Sequence, residues 1–167
     1  MMLRLIAPGV VAMAALLLAA CSPQAGDAQT AATAAPATGV HGLSGLAVIP
    51  VTITSASGRH LIRAELAATP QQQARGLMFR TTMGADEGML FPYEDDPHVL
   101  SFWMRNTVLP LDIIFIAPDR RVLNVAADAV PYSESQILAA GVAAAVLELN
   151  AGRAAQLGIA PGDKVEW

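Results

Sequence analysis

Along this chain the hydrophobic positions come in short runs, many of them alternating with polar ones, and clusters of Gly, Pro and Ser cut the runs apart. That pattern predicts strands. The segments AVIPVTIT (47–54) and RHLIRAELA (59–67) flank Ser55-Ala56-Ser57-Gly58, which has the composition of a hairpin turn. Pro50 cannot donate to a ladder, so the first strand is expected toward a sheet edge. A helix signal follows: Thr69 as N-cap, Pro70 at the first helical position, Gln72 at capping-box spacing and Gly76 as terminator. After Gly88 the runs MLFPY (89–93), HVLSFWM (98–104), LDIIFIA (111–117) and RVLNVAADAV (121–130) predict further strands, with a turn at Pro118-Asp119. VAAAVLELN (142–150) reads as helix or strand, and Pro161-Gly162-Asp163 turns into a last strand. Together these elements predict one mainly β domain from about Leu46 to Trp167, a β-sandwich, jelly-roll-like or barrel-like, with one or two short helices.

The first 45 residues lie outside that pattern. Arg4 precedes an apolar stretch that ends in small residues before Cys21 and is too short for a membrane-spanning helix, which needs about 20 apolar residues. It predicts an export signal over residues 1–21. Leu18-Ala19-Ala20-Cys21 resembles the lipobox of bacterial lipoproteins, which implies acylation of Cys21 and attachment to the membrane through that lipid. Ser22, where an aspartate would imply inner-membrane retention, points to the outer membrane, facing the periplasm. Residues 22–45 are rich in Ala, Thr, Gly and Pro and are expected to be a flexible tether with a reach on the order of 25–30 Å. His41 falls within it, with no role expected. Cys21 is the only cysteine, so neither an internal disulfide nor a thiolate metal site is expected.

Charge and motifs narrow the chemistry. The net charge is −4 without a basic run, which argues against nucleic acid as a partner. No Gly-x-Ser-x-Gly elbow, dinucleotide fingerprint or phosphate loop occurs, and no cofactor is expected. Glu94-Asp95-Asp96-Pro97-His98 lacks a metal-ligand spacing and is expected to be a solvated loop. His60 is expected on the outer face of its strand, and Trp103, among apolar neighbours, in the core.

The ordered set GLMFR (76–80), GMLF (88–91), SFWMRNT (101–107), LPLD (109–112) and VLELNAG (146–152) resembles the DUF192 family (domain of unknown function 192) over about residues 50–165. The resemblance implies a compact, mainly β, jelly-roll-like fold that is often exported. It implies no activity.

The candidate site is therefore read from the polar residues that interrupt apolar runs: Arg80, Arg105, Asn106, Asp112 and Glu148. If 101–105 and 111–116 were antiparallel neighbours, Arg105 and Asp112 would pair across their connection, with Asn106 and Thr107 serving the turn. A pocket reading has Arg105, with Arg80, holding an anionic group, Asp112 orienting Arg105 and Glu148 joining them. No catalytic residue is assigned. The expectation is a non-enzymatic module that binds a small ligand or an envelope component. A hydrolase of an envelope polymer through Asp112 and Glu148 is the alternative, and an exposed apolar patch near GLMFR a third.

Overall fold

The computed structural model describes residues 39–167. The export signal, Cys21 and residues 22–38 of the expected tether lie outside the described residues. The chain runs β1 (Gly39–Val40), β2 (Ala47–Ser55), β3 (Gly58–Leu66), α1 (Pro70–Arg75), β4 (Glu87–Pro92), β5 (Ser101–Phe102), β6 (Leu111–Ile116), β7 (Val122–Ala129), β8 (Ile137–Leu138), β9 (Ala145–Asn150), α2 (Arg153–Gln156) and β10 (Lys164–Glu166). The fold is mainly β and sandwich-like, with no closed barrel. Eight strands form one sheet in the order β1-β2-β3-β4-β9-β6-β7, with β10 also on β2, while β5 and β8 make a separate ribbon.

Apolar burial explains the order. β4, β9 and β6 lie at the sheet's centre and are almost wholly buried on both faces. Along β9, Ala145, Leu147 and Leu149 face a core shared with Val51, Ile53, Ile62 and Ile114, whereas Val146 faces a second core with Phe91, Phe115 and Met104. A strand covered on both sides has no need of alternation, which is why 142–150 is ambiguous in sequence. Gly88 answers a close approach within this centre: a Cβ there would lie 2.6 Å from the Glu148 carbonyl oxygen.

Several expectations need correction. Pro50 does not make β2 an edge, because β3 pairs with Val48–Ser55 on one side and β1 and β10 flank it on the other; Pro50 falls in the gap between β1 at residues 47–48 and β10 at 52–54. The run 98–104 is not one strand: His98 forms a lone bridge to Ala143, and only Ser101–Phe102 pair, with β8. Trp103 is 47% exposed and not in the core. The expected tether continued to residue 45, yet β1 pairs with β2, and His41, expected to be idle, accompanies Glu65 and Arg80.

Candidate functional site

Sheet register gathers the relevant carboxyls. Glu65 on β3 stands opposite Met89 on β4, Met89 opposite Glu148 on β9, and Glu148 opposite Ile113 on β6. Directly paired residues share a face, so Glu65 and Glu148 project from one side of the sheet, about 10 Å apart at two strand spacings. Asp112 is opposite Leu149, one position along, and projects from the other side. Asp112 and Glu148 therefore cannot act as an acid pair on one bond.

Each carboxyl meets a different environment. Arg80 grips Glu65 with two parallel bonds, Nη1 to Oε1 at 2.7 Å and Nη2 to Oε2 at 2.9 Å; the Ser44 hydroxyl donates to the same group, and His41 Nδ1 lies 3.5 Å away. Burial alone would raise the Glu65 pKa, but the bonds from Arg80 and Ser44 outweigh it and hold the carboxyl below its ordinary value. Asp112 is wholly buried and accepts three backbone N–H groups: Asp128 at 3.0 Å and Gly152 at 3.1 Å on Oδ1, and Ala154 at 2.8 Å on Oδ2. It thereby caps α2 and satisfies an N–H freed where β7 shifts register against β6. Glu148 is only 5% exposed, and among the described residues its carboxyl makes no hydrogen bond or ion pair. Burial pushes it up to about 8. Burial, and after it the charge of Glu148, also raises the Tyr93 phenol.

Two depressions open on the side that Glu65 and Glu148 share, divided by the turn Arg75–Met78. Thr69 closes a capping box on Gln72 to start α1, and Gly76 ends it at φ 48°, where an added Cβ would touch the Phe91 ring at 3.4 Å. On one side of the turn is a groove of about 530 Å³ between the 43–46 turn and α1, with Leu43, Leu46, Met78 and Phe79 as apolar walls and Gln71, Gln72, Arg75 and Arg80 as polar ones. On the other is a recess of about 40 Å³ above Glu148, bordered by Phe91, Phe102, Trp103, Arg105 and Thr107.

Near these depressions the backbone is unusual. Phe79 (φ 64°), Asn106 (54°) and Tyr132 (62°) adopt left-handed conformations, and Phe79 N–H donates to the Asn106 carbonyl while Tyr132 N–H donates to that of Thr107. Bulky residues rarely accept such φ values, and here Phe79 and Tyr132 do so while exposed.

Of the five expected site residues, Arg105 and Glu148 share the small recess, and Arg80 borders the groove with its charge already matched by Glu65. Asn106 lies at the rim with its amide 3.8 Å from Met78 Sδ. Asp112 is remote from both. The expected Arg105–Asp112 pair does not form, because residues 101–105 and β6 are not neighbours: Arg105 stacks 5.6 Å from the Trp103 ring centre, with Nε 3.8 Å from Glu134. Sequence reasoning missed Glu65, Ser44, His41 and Arg75. In RHLIRAELA, Arg63 and Glu65 share the side opposite Ile62 and Ala64, which resembles a solvent face until α1 and the following turn cover it. His60 hydrogen-bonds Ser57 at 2.9 Å, and Glu94 pairs with Arg120, which stacks on Trp167. Among the described residues no three His, Cys, Asp or Glu side chains converge as metal ligands.

The family model for DUF192, described as Uncharacterized ACR, matches residues 51–167. A crystal structure of a protein of unknown function from Novosphingobium aromaticivorans is 60% identical, covering 85% of this chain and all of its own, with a TM-score of 0.78. One from Sinorhizobium meliloti, proposed to be a transcription regulator, is 43% identical over 72% of this chain and 94% of its own, with a TM-score of 0.69. No curated protein matches.

Proposed function

This chain belongs to the DUF192 family, and from that premise we propose that it is a cell-envelope lipoprotein presenting a non-enzymatic binding module. The observation that carries the binding reading is the 530 Å³ groove beside α1, whose volume falls in the range of small-molecule sites. Its walls suit an organic ligand with an apolar body. Arg75, which has no ion-pair partner among the described residues, supplies a cation for an acidic end, whereas Arg80 is held by Glu65. A hydrolase using Asp112 with Glu148 receives no support from two carboxyls on opposite sides of a sheet.

The location rests on the lipobox-like Leu18-Ala19-Ala20-Cys21. Intact mass of the mature chain is expected to show residues 1–20 removed and acyl chains on Cys21. An unmodified Cys21 thiol would overturn the anchor while leaving the groove reading intact. Binding is tested by thermal shift of the full-length chain against a panel of amphipathic organic acids, since any ligand of the native state raises the melting temperature. At 100 times its dissociation constant a ligand adds about 2.7 kcal/mol, and Arg75→Ala should diminish the shift. A panel without shifts, or shifts indifferent to Arg75→Ala and Phe79→Ala, would sink the groove.

A further inference from the structure

The recess over Glu148 is separate from the groove and makes a different demand. A buried carboxyl without a partner is costly, and the other two buried carboxyls discussed above are fully matched, Glu65 by a guanidinium fork and Asp112 by three backbone N–H groups. Only Glu148 is left facing a cavity. Its surroundings decide which guest could match it. Phe91 and Phe102 meet edge to face at 5.2 Å, and with Trp103 they give the recess aromatic borders. Its volume of about 40 Å³ holds about three non-hydrogen atoms, counting one water per 10–15 Å³. A sugar ring or nucleobase is too large.

We propose that this recess is a binding subsite for the primary ammonium group of a small zwitterion, with the Glu148 carboxylate as counter-ion and the aromatic side chains around it as walls. Once Glu148 is ionised a second anion is repelled, and a neutral group gains one ordinary hydrogen bond. An ammonium gains charge-assisted bonds in a poorly solvated site together with attraction to the aromatic rings. The chain's own cations leave the position open: Arg105 is turned to Trp103 and Glu134, and Arg80 to Glu65. Arg75 and Arg105 border the recess, where they disfavour a simple amine and favour one that carries an anionic group a few bonds away. Amino-ethyl phosphates have that chemistry, whether free or as lipid headgroups.

Proton linkage gives the subsite a signature. The groups facing Glu148 are Arg75 from α1, Arg105 from the loop between β5 and β6 and Tyr93 just past β4, with the matched Glu65–Arg80 pair beyond Met89. With the free carboxyl near 8, an ammonium must expel a proton to bind below that pH. Affinity should therefore rise about tenfold per unit from pH 6.5 to 7.5 and level off above 8.

Calorimetric titration of the full chain with O-phosphoethanolamine and with O-phosphocholine tests this, because the two differ only in three methyl groups on nitrogen. Phosphoethanolamine should bind one to one and at least about tenfold more tightly, since the recess has no room for a trimethylated nitrogen. Glu148→Gln should weaken it about tenfold or more and abolish the pH slope. Sedimentation of Cys21→Ser, which carries no lipid of its own, with phosphatidylethanolamine against phosphatidylcholine vesicles separates the sources: selective co-sedimentation supports a lipid headgroup, and binding of the free compound alone supports a soluble zwitterion. Equal affinity for the two compounds, no binding of either, or an unaltered affinity in Glu148→Gln overturns the proposal. The comparison of the two compounds stands even if that variant fails to fold.

Discussion

Glu65 and Glu148 project from the same side of one sheet, with Met89 between them, and they differ in everything else. Glu65 is enclosed by Arg80, Ser44 and His41. Glu148 has aromatic rings for neighbours and an opening above it. Burial opposes ionisation of both, and only at Glu65 do hydrogen bonds and a cation reverse it. The fold is thus able to satisfy a carboxylate at this depth and does so once. A carboxyl left unmatched in the next but one strand is a position kept for something else.

The contrast is broken most severely from the satisfied side. Arg80→Ala removes the fork and leaves Glu65 buried with Ser44 and His41 as its remaining polar neighbours. Stripping one partner from a buried pair costs about 3–5 kcal/mol. Urea unfolding at pH 7 measures it, and a loss below about 1 kcal/mol would mean that Glu65 does not depend on its guanidinium. In the same experiment the parent should lose stability as pH falls through the depressed Glu65 pKa, because the unfolded chain takes up that proton first.

Glu148 gives the opposite sign. Below about pH 4.5 it is protonated in both states; between that value and about 8 the unfolded chain releases a proton that the folded one retains, so stability falls as pH rises, then levels off. Glu148→Gln removes this penalty. The shift corresponds to several kcal/mol at 1.36 per unit, and an amide is as short of partners here as the protonated carboxyl it replaces, which leaves a gain of several kcal/mol at pH 9 and little change at pH 4. Unfolding curves at pH 4, 6.5 and 9 would settle it. A variant less stable than the parent at pH 9 would show that Glu148 already has a partner in solution.

Asp112 sharpens the comparison from the other face of the sheet, where neutral backbone groups take the place of a cation. Asp112→Asn turns an acceptor-only group into one with an amide that faces N–H donors, and about 1–3 kcal/mol should be lost. Because its effects fall on α2 and the β6–β7 register, O-phosphoethanolamine affinity should be unchanged. A variant that retains its fold and loses that affinity would tie the two faces together.

How much of this was legible in the sequence follows from which forces act locally. The α1 cap and its Gly76 stop are written in adjacent residues, and so is the β2–β3 hairpin; all appear where the pattern predicts them. Strands at the sheet centre were blurred because cover on both faces removes the alternation that identifies a half-buried strand. HVLSFWM failed as a strand for a related reason: its apolar residues are buried singly by loop packing, and Trp103 escapes burial altogether. At the site, Glu148 and Arg105, singled out in the sequence as polar intrusions, both border the recess. It could not show that Asp112 faces the other way, since that depends on register against β9, nor that Glu65 lies beneath a turn formed by residues 76–80.

Arg80 and Arg105, read from sequence as equivalent cations, give the smallest effect and the most direct comparison. The Arg80 side chain is 10% exposed and forms two short bonds; that of Arg105 is 52% exposed, with a single contact of 3.8 Å to an exposed Glu134 and a stack on Trp103. Solvent screens such a pair, and the ordering of two long side chains offsets most of what remains, so Arg105→Ala should alter stability by about 0–1 kcal/mol. Urea unfolding beside Arg80→Ala, with equal denaturant slopes, provides the measurement. If the two variants proved equally costly, Arg105 would have to reach inward to Glu148 in solution, the recess would be occupied by the chain's own guanidinium, and no carboxylate on this side of the sheet would remain open to a guest.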